Sequence, residues 1–378
     1  MRDKIGVYIH IPFCLRKCNY CDFLSFPAEE RRREHYVELL IREIRQFGRG
    51  AFTRHVEADT VFIGGGTPTV LSVSQLGHIL SELKKQVKLS ECPEITIECN
   101  PGTVTYEELQ QLRHMGINRI SFGVQSAVPE ELEKLGRIHT FADAVRIFDH
   151  ARKAGFENIN IDLMSAIPGQ TEPSYEYTLR QVLALSPEHL SAYSLIVEEG
   201  TPFYEMFGER PPVDEDTDRR MYALTKELLR QKNYERYEIS NYAREGYECR
   251  HNLKYWSGDD YVGFGLGASS RIGNVHYKNE MQLLKYQEKI EMGVSPANVE
   301  ERMDARGEQS EYIILGLRKT RGISQKEFRS RFSADVLECY GEVIQKFEKK
   351  GLLHVQGDRI AFTDYGLDVS NYVLSEFL

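Results

Sequence analysis

Short apolar runs alternate with longer amphipathic segments through the first half of the chain. The runs predict strands at 6–11, 59–63, 94–98, 119–122, 158–163 and 189–195, and the segments between them predict helices at 28–47, 72–87, 105–115, 141–154 and 173–185. Strands that alternate with helices are typical of a parallel sheet covered by helices. We therefore expect the α/β class, as a six-unit partial (β/α)6 TIM-like barrel. Ligands in such folds gather at the carboxyl ends of the strands.

The pattern changes after about residue 214. The later segments predict a helix at 216–232, a tyrosine-rich region at 234–261, a glycine-rich stretch at 263–273, helices at 324–332 and 334–350, a hairpin at 352–362 and a last helix at 363–377. Two helices followed by a hairpin indicate a winged-helix-like α+β domain. We expect three parts: the barrel over 1–235, a connecting region over 236–299 and the winged-helix-like domain over 300–378.

The charge balance narrows the choice of partners. The net charge is -9, with 41% hydrophobic and 28% charged residues, which is typical of a globular protein. A nucleic-acid partner is not expected, because generic nucleic-acid binders are basic and the C-terminal part has few basic residues. The start of the chain does not resemble a signal peptide. No apolar run approaches the roughly 18 residues of a membrane span. We expect a cytoplasmic protein, and peripheral membrane contact stays open.

Three of the seven cysteines stand close together directly after the first predicted strand. Cys14, Cys18 and Cys21 are separated by three and by two residues. Clustered thiols in a reducing compartment indicate metal or redox chemistry rather than disulfides. Three thiolates on an iron–sulfur cubane leave the fourth iron open to nitrogen and oxygen ligands. A zinc site with a distant fourth ligand is the alternative, although the uneven spacing differs from the usual zinc pattern of two matched pairs.

This cysteine spacing after the first strand resembles the signature of the radical S-adenosylmethionine superfamily, and other motifs extend the resemblance over about residues 4–235. The resemblance implies a [4Fe–4S] cluster that binds S-adenosylmethionine through its open iron. Members of the superfamily use one electron from the cluster to cleave the sulfonium and release a deoxyadenosyl radical.

The resemblance also assigns a cofactor site near the strand ends. Its residues are Tyr8, Tyr20, Gly64, Gly65, Gly66, Thr67, Glu98, Gln125, Arg137 and Asp162. Successive glycines allow a ligand to approach the backbone, an arginine can pair with a carboxylate, and a carboxylate can accept from ribose hydroxyls. The alternatives are a tight turn for the glycines, barrel filling for Tyr8 and His10, and ordinary surface polarity for the rest. No catalytic residue is predicted.

The segment from His10 to Cys14 resembles the coproporphyrinogen III oxidase-like branch of the superfamily, which includes oxygen-independent dehydrogenases and heme chaperones. Three features favour the chaperone type. Phe23 stands where the dehydrogenases carry a further cysteine, and the first strand begins close to Met1, without their long N-terminal arm. The run His-Asn-Leu-Lys-Tyr-Trp at 251–256 matches the HNxxYW motif of the chaperones.

Heme is therefore the third expected cofactor. A neutral imidazole is a common axial ligand of heme iron, so His251 is the candidate ligand and Cys249 its competitor. The alternative is a His-Asn loop that bonds the backbone beside a half-buried tryptophan. The resemblance implies a chaperone that delivers heme to respiratory hemoproteins and can form a homodimer. The competing function is oxidative decarboxylation of coproporphyrinogen III to protoporphyrinogen IX.

Overall fold

Six parallel strands, hydrogen-bonded in sequence order, form the centre of the fold. The computed structural model describes residues 3–378. The six strands are β1 (Asp3–Ile11), β2 (Val56–Gly65), β3 (Leu89–Cys99), β4 (Arg119–Gln125), β5 (Asn158–Ser165) and β6 (His189–Ser194). Each overlaps a predicted strand. Side chains alternate between the two faces of a strand, so one set packs under the helices and the other faces the barrel interior.

Helices connect these strands. They are α1 (Glu30–Gly48), α2 (Val73–Gln86), α3 (Tyr106–His114), α4 (Pro129–Lys134), α5 (Phe141–Lys153) and α6 (Glu172–Leu185). The hydroxyls of Ser72, Thr105, Thr140 and Thr171 each accept a hydrogen bond from the backbone N–H three residues later. These caps satisfy donors that have no partner within the helix and fix where α2, α3, α5 and α6 begin. The short α4 has no counterpart among the predicted helices.

The connecting region widens the central sheet at both edges. Its elements, with the two helices before it, are α7 (Pro202–Phe207), α8 (Glu215–Arg230), β7 (Glu235–Arg236), β8 (Asn241–Ala243), α9 (Arg250–Ser257), β9 (Tyr261–Phe264), β10 (Ser269–Ile272), β11 (Val275–Asn279), α10 (Leu283–Glu291) and β12 (Ala297–Arg302). Strand β9 pairs in parallel with β1, and β8 pairs antiparallel with β6. Val262, Phe264 and Tyr286 are buried in the same hydrophobic core as the barrel strands.

A second hydrophobic core lies in the C-terminal part. Its elements are α11 (Ala305–Leu317), β13 (Ile323–Ser324), α12 (Gln325–Phe332), α13 (Val336–Lys349), β14 (Leu353–Gln356), β15 (Arg359–Phe362), α14 (Asp364–Asp368) and α15 (Ser370–Leu374). The single last helix was a wrong prediction, because the backbone leaves the helical conformation at Val369. This break lets Val373 and Phe377 pack into the second core. The domain boundaries at 235 and 299 stay a prediction.

The helices of residues 3–378 do not have the character of membrane spans. None of them is both long enough and apolar enough to cross a bilayer.

Candidate functional site

The cysteine loop connects β1 to α1 and is closed by backbone hydrogen bonds at its two ends. The Cys14 N–H donates to the Phe26 carbonyl at 3.2 Å, and the Phe26 N–H donates to the Pro12 carbonyl at 2.9 Å. The imidazole of His10 on β1 lies 2.9 Å from the carbonyl oxygen of Leu24, on the far side of the loop. These contacts hold Cys14, Cys18 and Cys21 at the carboxyl end of β1, and all three are partly exposed free thiols.

The glycine run at the end of β2 packs directly against this loop. The Gly66 N–H donates to Ile11 O, and the Thr67 N–H donates to Phe13 O at 2.7 Å. A Cβ at position 66 would lie 2.6 Å from Phe13 O and 2.9 Å from the sulfur of Cys14. Position 66 must therefore be glycine for β2 to approach the cysteine loop this closely.

One cavity at the carboxyl ends of the strands gathers most of the predicted site. It is lined by Cys14, Cys18, Cys21, Tyr20, Gly65, Gly66, Thr67, Glu98, Gln125, Arg137 and Asp162. Tyr8 and Gly64 do not line it. The Tyr8 ring stacks on Phe62 with 6.3 Å between centroids, and its hydroxyl lies 3.1 Å from a ring nitrogen of His10. A Cβ at Gly64 would lie 2.9 Å from a carboxylate oxygen of Glu98, so Gly64 gives that side chain its space.

Arg137 links the cysteine loop to the strand ends. Its Nη1 donates to the Cys18 sulfur at 3.5 Å, and its Nη2 donates to Asn100 Oδ1 and to the Gly123 carbonyl. Within residues 3–378, its buried Nε has no hydrogen-bond partner. An arginine that lines a cavity, with its guanidinium charge not paired to a carboxylate of the described residues, suits an anionic ligand group such as a carboxylate. Sequence reasoning missed Asn100, although its position just after Glu98 at the end of β3 was the available signal.

Two half-buried carboxyl groups, those of Glu98 and Asp162, face the same cavity. Burial, reinforced by the nearby Asp162, raises the pKa of Glu98 to about 8, although the Gly65 N–H donates to it at 3.0 Å. Burial also raises the pKa of Asp162, against the effect of hydrogen bonds from Ser191, Asn160 and Ser121. Additional hydrogen bonds stabilise carboxyl groups that are shielded from water. This pair therefore suits a ligand that carries hydroxyl or ammonium groups.

Gln125 adopts a backbone conformation that is uncommon for a residue other than glycine. Its φ is 71°, and the pairing register between β4 and β5 shifts between Gly123 and Gln125. The Tyr193 hydroxyl donates to its side-chain oxygen at 3.0 Å. Strained backbone of this kind occurs frequently in ligand sites, where the surrounding structure holds it in place. Tyr193 also lines the cavity and was missed, although it lies near the end of β6.

The donor set fits an iron–sulfur cluster better than a single ion. Each of three cubane irons takes one thiolate, so the sulfurs surround a cluster instead of meeting at one point. Residues 3–378 contain no group of three or more His, Cys, Asp or Glu side chains that could hold one metal ion. The zinc alternative therefore has no support in the arrangement of these side chains.

The candidate heme ligand lies elsewhere. His251 is on α9, is 1% exposed, and does not line the cysteine cavity. One ring nitrogen lies 2.8 Å from the Thr60 hydroxyl, and the other lies 2.8 Å from the Tyr255 hydroxyl. Burial lowers its pKa to about 3. In this conformation His251 has no free nitrogen for iron. The HNxxYW motif lies within helix α9, not in the loop of the alternative interpretation, and Cys249 is fully buried beside Glu94.

Comparisons with known proteins agree with this geometry. The family model of the radical SAM superfamily matches residues 8–182, and the model of the HemN C-terminal domain matches residues 308–369. The solved structure of coproporphyrinogen III oxidase (HemN) from Escherichia coli superposes with a TM-score of 0.85 at 23% identity, covering 100% of this chain and 90% of that one. This likeness confirms the predicted α/β partial barrel with a small C-terminal domain. By fold and cysteine loop, the chain is a radical SAM protein.

The relatives narrow the class further. The chain is 36% identical over 378 residues to the heme chaperone HemW of Bacillus subtilis (strain 168), covering 99% of both chains. It is 40% identical over 271 residues to the heme chaperone HemW of Escherichia coli (strain K12), covering 71% of this chain and 70% of that one. The chain belongs to the HemW family. Its membership of the radical SAM superfamily implies a [4Fe–4S] cluster and S-adenosylmethionine, and the cavity described above fits both.

Proposed function

We propose that this protein is a heme chaperone that carries a [4Fe–4S] cluster on Cys14, Cys18 and Cys21, binds S-adenosylmethionine beside it, and delivers heme to respiratory hemoproteins. The main support for the cluster and S-adenosylmethionine is the single cavity that gathers the three thiols with eight of the ten predicted cofactor positions. The heme part is supported by full-length similarity to proteins named heme chaperone HemW and by the segment at 251–256.

Different residues of the cavity bind different groups of S-adenosylmethionine. Arg137 offers the positive charge of its guanidinium to the methionine carboxylate, while its terminal nitrogens stay on Cys18, Asn100 and Gly123. Glu98 and Asp162 offer acceptors for hydroxyl and ammonium groups. When bound, the reduced cluster supplies the electron that cleaves the sulfonium of S-adenosylmethionine.

The assignment of His251 as the heme ligand stays a prediction, and it requires that one of the two hydrogen bonds of its ring be broken. Iron can reach a ring nitrogen only after the hydrogen bond to Tyr255 or to Thr60 is broken. Tyr255→Phe removes one of these competitors. If His251 binds iron, Tyr255→Phe keeps or tightens heme binding, whereas His251→Ala loses the ligand-dependent Soret band. Equal heme spectra and affinities for wild type and His251→Ala would rule out the assignment.

The whole proposal is tested with anaerobically reconstituted protein. Heme-loaded protein is mixed with an apo-hemoprotein, and transfer is followed by the Soret band of the recipient. A parallel reaction supplies reductant, S-adenosylmethionine and coproporphyrinogen III. Heme transfer without protoporphyrinogen formation is the expected result. Formation of protoporphyrinogen would instead identify an oxidative decarboxylase.

The proposed partners follow from the same function. We expect the protein to act in the cytoplasm and to contact the membrane peripherally where its recipients are membrane hemoproteins. We also expect a homodimer when the cluster is present. Light scattering under anaerobic conditions, before and after removal of the cluster, and co-sedimentation with lipid vesicles test these two expectations.

A further inference from the structure

A cleft of about 550 Å³ separates the C-terminal end of α9 from the C-terminal core. Leu253 and Ser257 of α9 form one wall. Lys319, Arg321 and Arg331, from the segment after α11 and from α12, form much of the other, together with Arg359 on β15. The cleft is separate from the cysteine cavity, with which it shares no lining residue.

The cleft is rich in positive charge, although the chain as a whole has a net charge of -9. Four cationic side chains line it, against the two carboxylates of Asp259 and Glu327. Both carboxylates have other contacts. Asp259 lies 4.0 Å from Lys254, and Glu327 accepts a hydrogen bond from the Tyr312 hydroxyl at 3.3 Å. Within residues 3–378, none of the four cations of the cleft lies within 4.0 Å of a carboxylate oxygen.

Two of the four cations have a structural role. The Lys319 ammonium donates to the Ser257 hydroxyl at 3.0 Å, and Arg331 donates to the carbonyls of Ser257 and Gly258. Carbonyls at the C-terminal end of a helix lack partners within the helix, and cations stabilise that end. Lys319 and Arg331 therefore hold the C-terminal domain against α9.

The structural role of Lys319 and Arg331 does not extend to Arg321 and Arg359. In the described part of the chain, the side chains of Arg321 and Arg359 make no hydrogen bond and no ion pair, yet both line the same cleft. Burial lowers the pKa of Lys319, and the neighbouring Arg359 and Arg331 act in the same direction, although Glu327 and Asp259 oppose it. Two unpaired guanidinium groups beside a half-buried ammonium give a site complementary to negative charge.

We propose that this cleft binds a small ligand with at least two anionic groups, carboxylates or phosphates, which Arg321 and Arg359 bind and Lys319 supports. Guanidinium groups form paired hydrogen bonds with either kind of anion, which is why arginine is favoured in such sites. Two sources supply this chemistry: free phosphorylated or carboxylated metabolites, and the two propionates of heme. Only the second rests on the proposed function. It has added interest because Leu253 belongs to the HNxxYW segment and lines the cleft.

The first experiment uses inorganic pyrophosphate as the probe and full-length protein. Thermal unfolding is measured with pyrophosphate and with chloride at matched ionic strength, and the affinity is measured by calorimetry. The test variant is Arg321→Gln with Arg359→Gln. The control, Lys326→Gln with Lys349→Gln, makes the same charge change at exposed positions outside the cleft. We expect wild type and control to be stabilised alike, and the test variant to bind at least about tenfold more weakly. Equal binding by all three proteins, or no stabilisation beyond that by chloride, would overturn the site.

The second experiment distinguishes the sources by comparing heme with heme dimethyl ester, whose propionates carry no charge. If propionates occupy the cleft, the double variant loses affinity for heme but not for the ester. If heme affinity is unchanged while pyrophosphate binding is lost, the ligand is a free anion. Failure of the wild type to bind heme at all contradicts the proposed chaperone function and leaves the pyrophosphate result standing.

Discussion

The guanidinium of Arg137 donates a hydrogen bond to the sulfur of Cys18 at 3.5 Å, across a separation of 119 residues along the chain. Through the same side chain, the cysteine loop is connected to Asn100, just after β3, and to Gly123 on β4. The planar guanidinium of Arg137, which has several donors, therefore helps to orient the cysteine loop relative to the strand ends.

Replacing Arg137 by lysine tests this arrangement. Lysine keeps the charge but has no planar fork, so it cannot reach Cys18, Asn100 and Gly123 together and still leave a donor for a ligand. We expect reconstituted Arg137→Lys to retain its iron but to bind S-adenosylmethionine at least about tenfold more weakly. Equilibrium dialysis measures the affinity. Arg146→Lys, at an exposed ion pair with Asp143 on α5, is the control. Unchanged affinity would show that Arg137 is only structural.

The three cysteines of the loop are expected to be equally necessary. Cys14→Ser, Cys18→Ser and Cys21→Ser should each lose most of the iron and sulfide after anaerobic reconstitution, because soft thiolates are the favoured ligands of such clusters. Cys92→Ser and Cys339→Ser change exposed cysteines elsewhere and should keep full iron content. Full iron and sulfide in a variant that lacks all three loop cysteines would contradict the assignment of the cluster.

Gly66→Ala tests the contact between β2 and the cysteine loop. The added methyl group would lie 2.6 Å from Phe13 O and 2.9 Å from the sulfur of Cys14, so one of the two segments must move. We expect a folded protein with several-fold lower cluster content or affinity for S-adenosylmethionine. Gly341→Ala, where the added Cβ meets no atom of residues 3–378 within 4 Å, is the matched control. If the two variants behave alike, the close approach has no importance for the site.

Glu43 provides a prediction about pH. It is buried between α1 and the connecting region, where it accepts hydrogen bonds from Tyr286, Asn279 and the Gly265 N–H. Burial raises its pKa from 4.5 to about 7. The folded state therefore holds this proton more tightly than the unfolded state, and its contribution to stability is lost as the pH rises from about 4.5 through 7. At about 1.4 kcal/mol per unit, the change is on the order of 3 kcal/mol.

Urea unfolding of wild type and Glu43→Gln measures this contribution. The free energy of unfolding of Glu43→Gln, relative to wild type, should rise between pH 5 and pH 8, because glutamine cannot ionise. A difference between the two proteins that does not change with pH would mean that Glu43 is already ionised at pH 5 in the folded state.

The sequence by itself determined the elements of the barrel and the loop that holds its chemistry. Apolar runs with period-two faces and capped amphipathic helices are local signals, and the predicted strands overlap β1 to β6. The spacing of Cys14, Cys18 and Cys21 is local too, and strand-end positions such as Glu98 and Asp162 follow from the shared direction of parallel strands.

Only the tertiary structure decided how distant segments meet. It placed Asn100 and Tyr193 at the cavity, merged residues 262–290 with the core of the barrel, and buried His251 between Thr60 and Tyr255. Most of these contacts have no local signal, because they join residues far apart in the chain. The hydrogen bond between His251 and Tyr255, four residues apart on α9, is the exception. The sequence of a motif is the same whether the ring nitrogens of its histidine are free or hydrogen-bonded. Here Thr60 on β2 occupies one ring nitrogen of His251, and Tyr255 on α9 itself occupies the other.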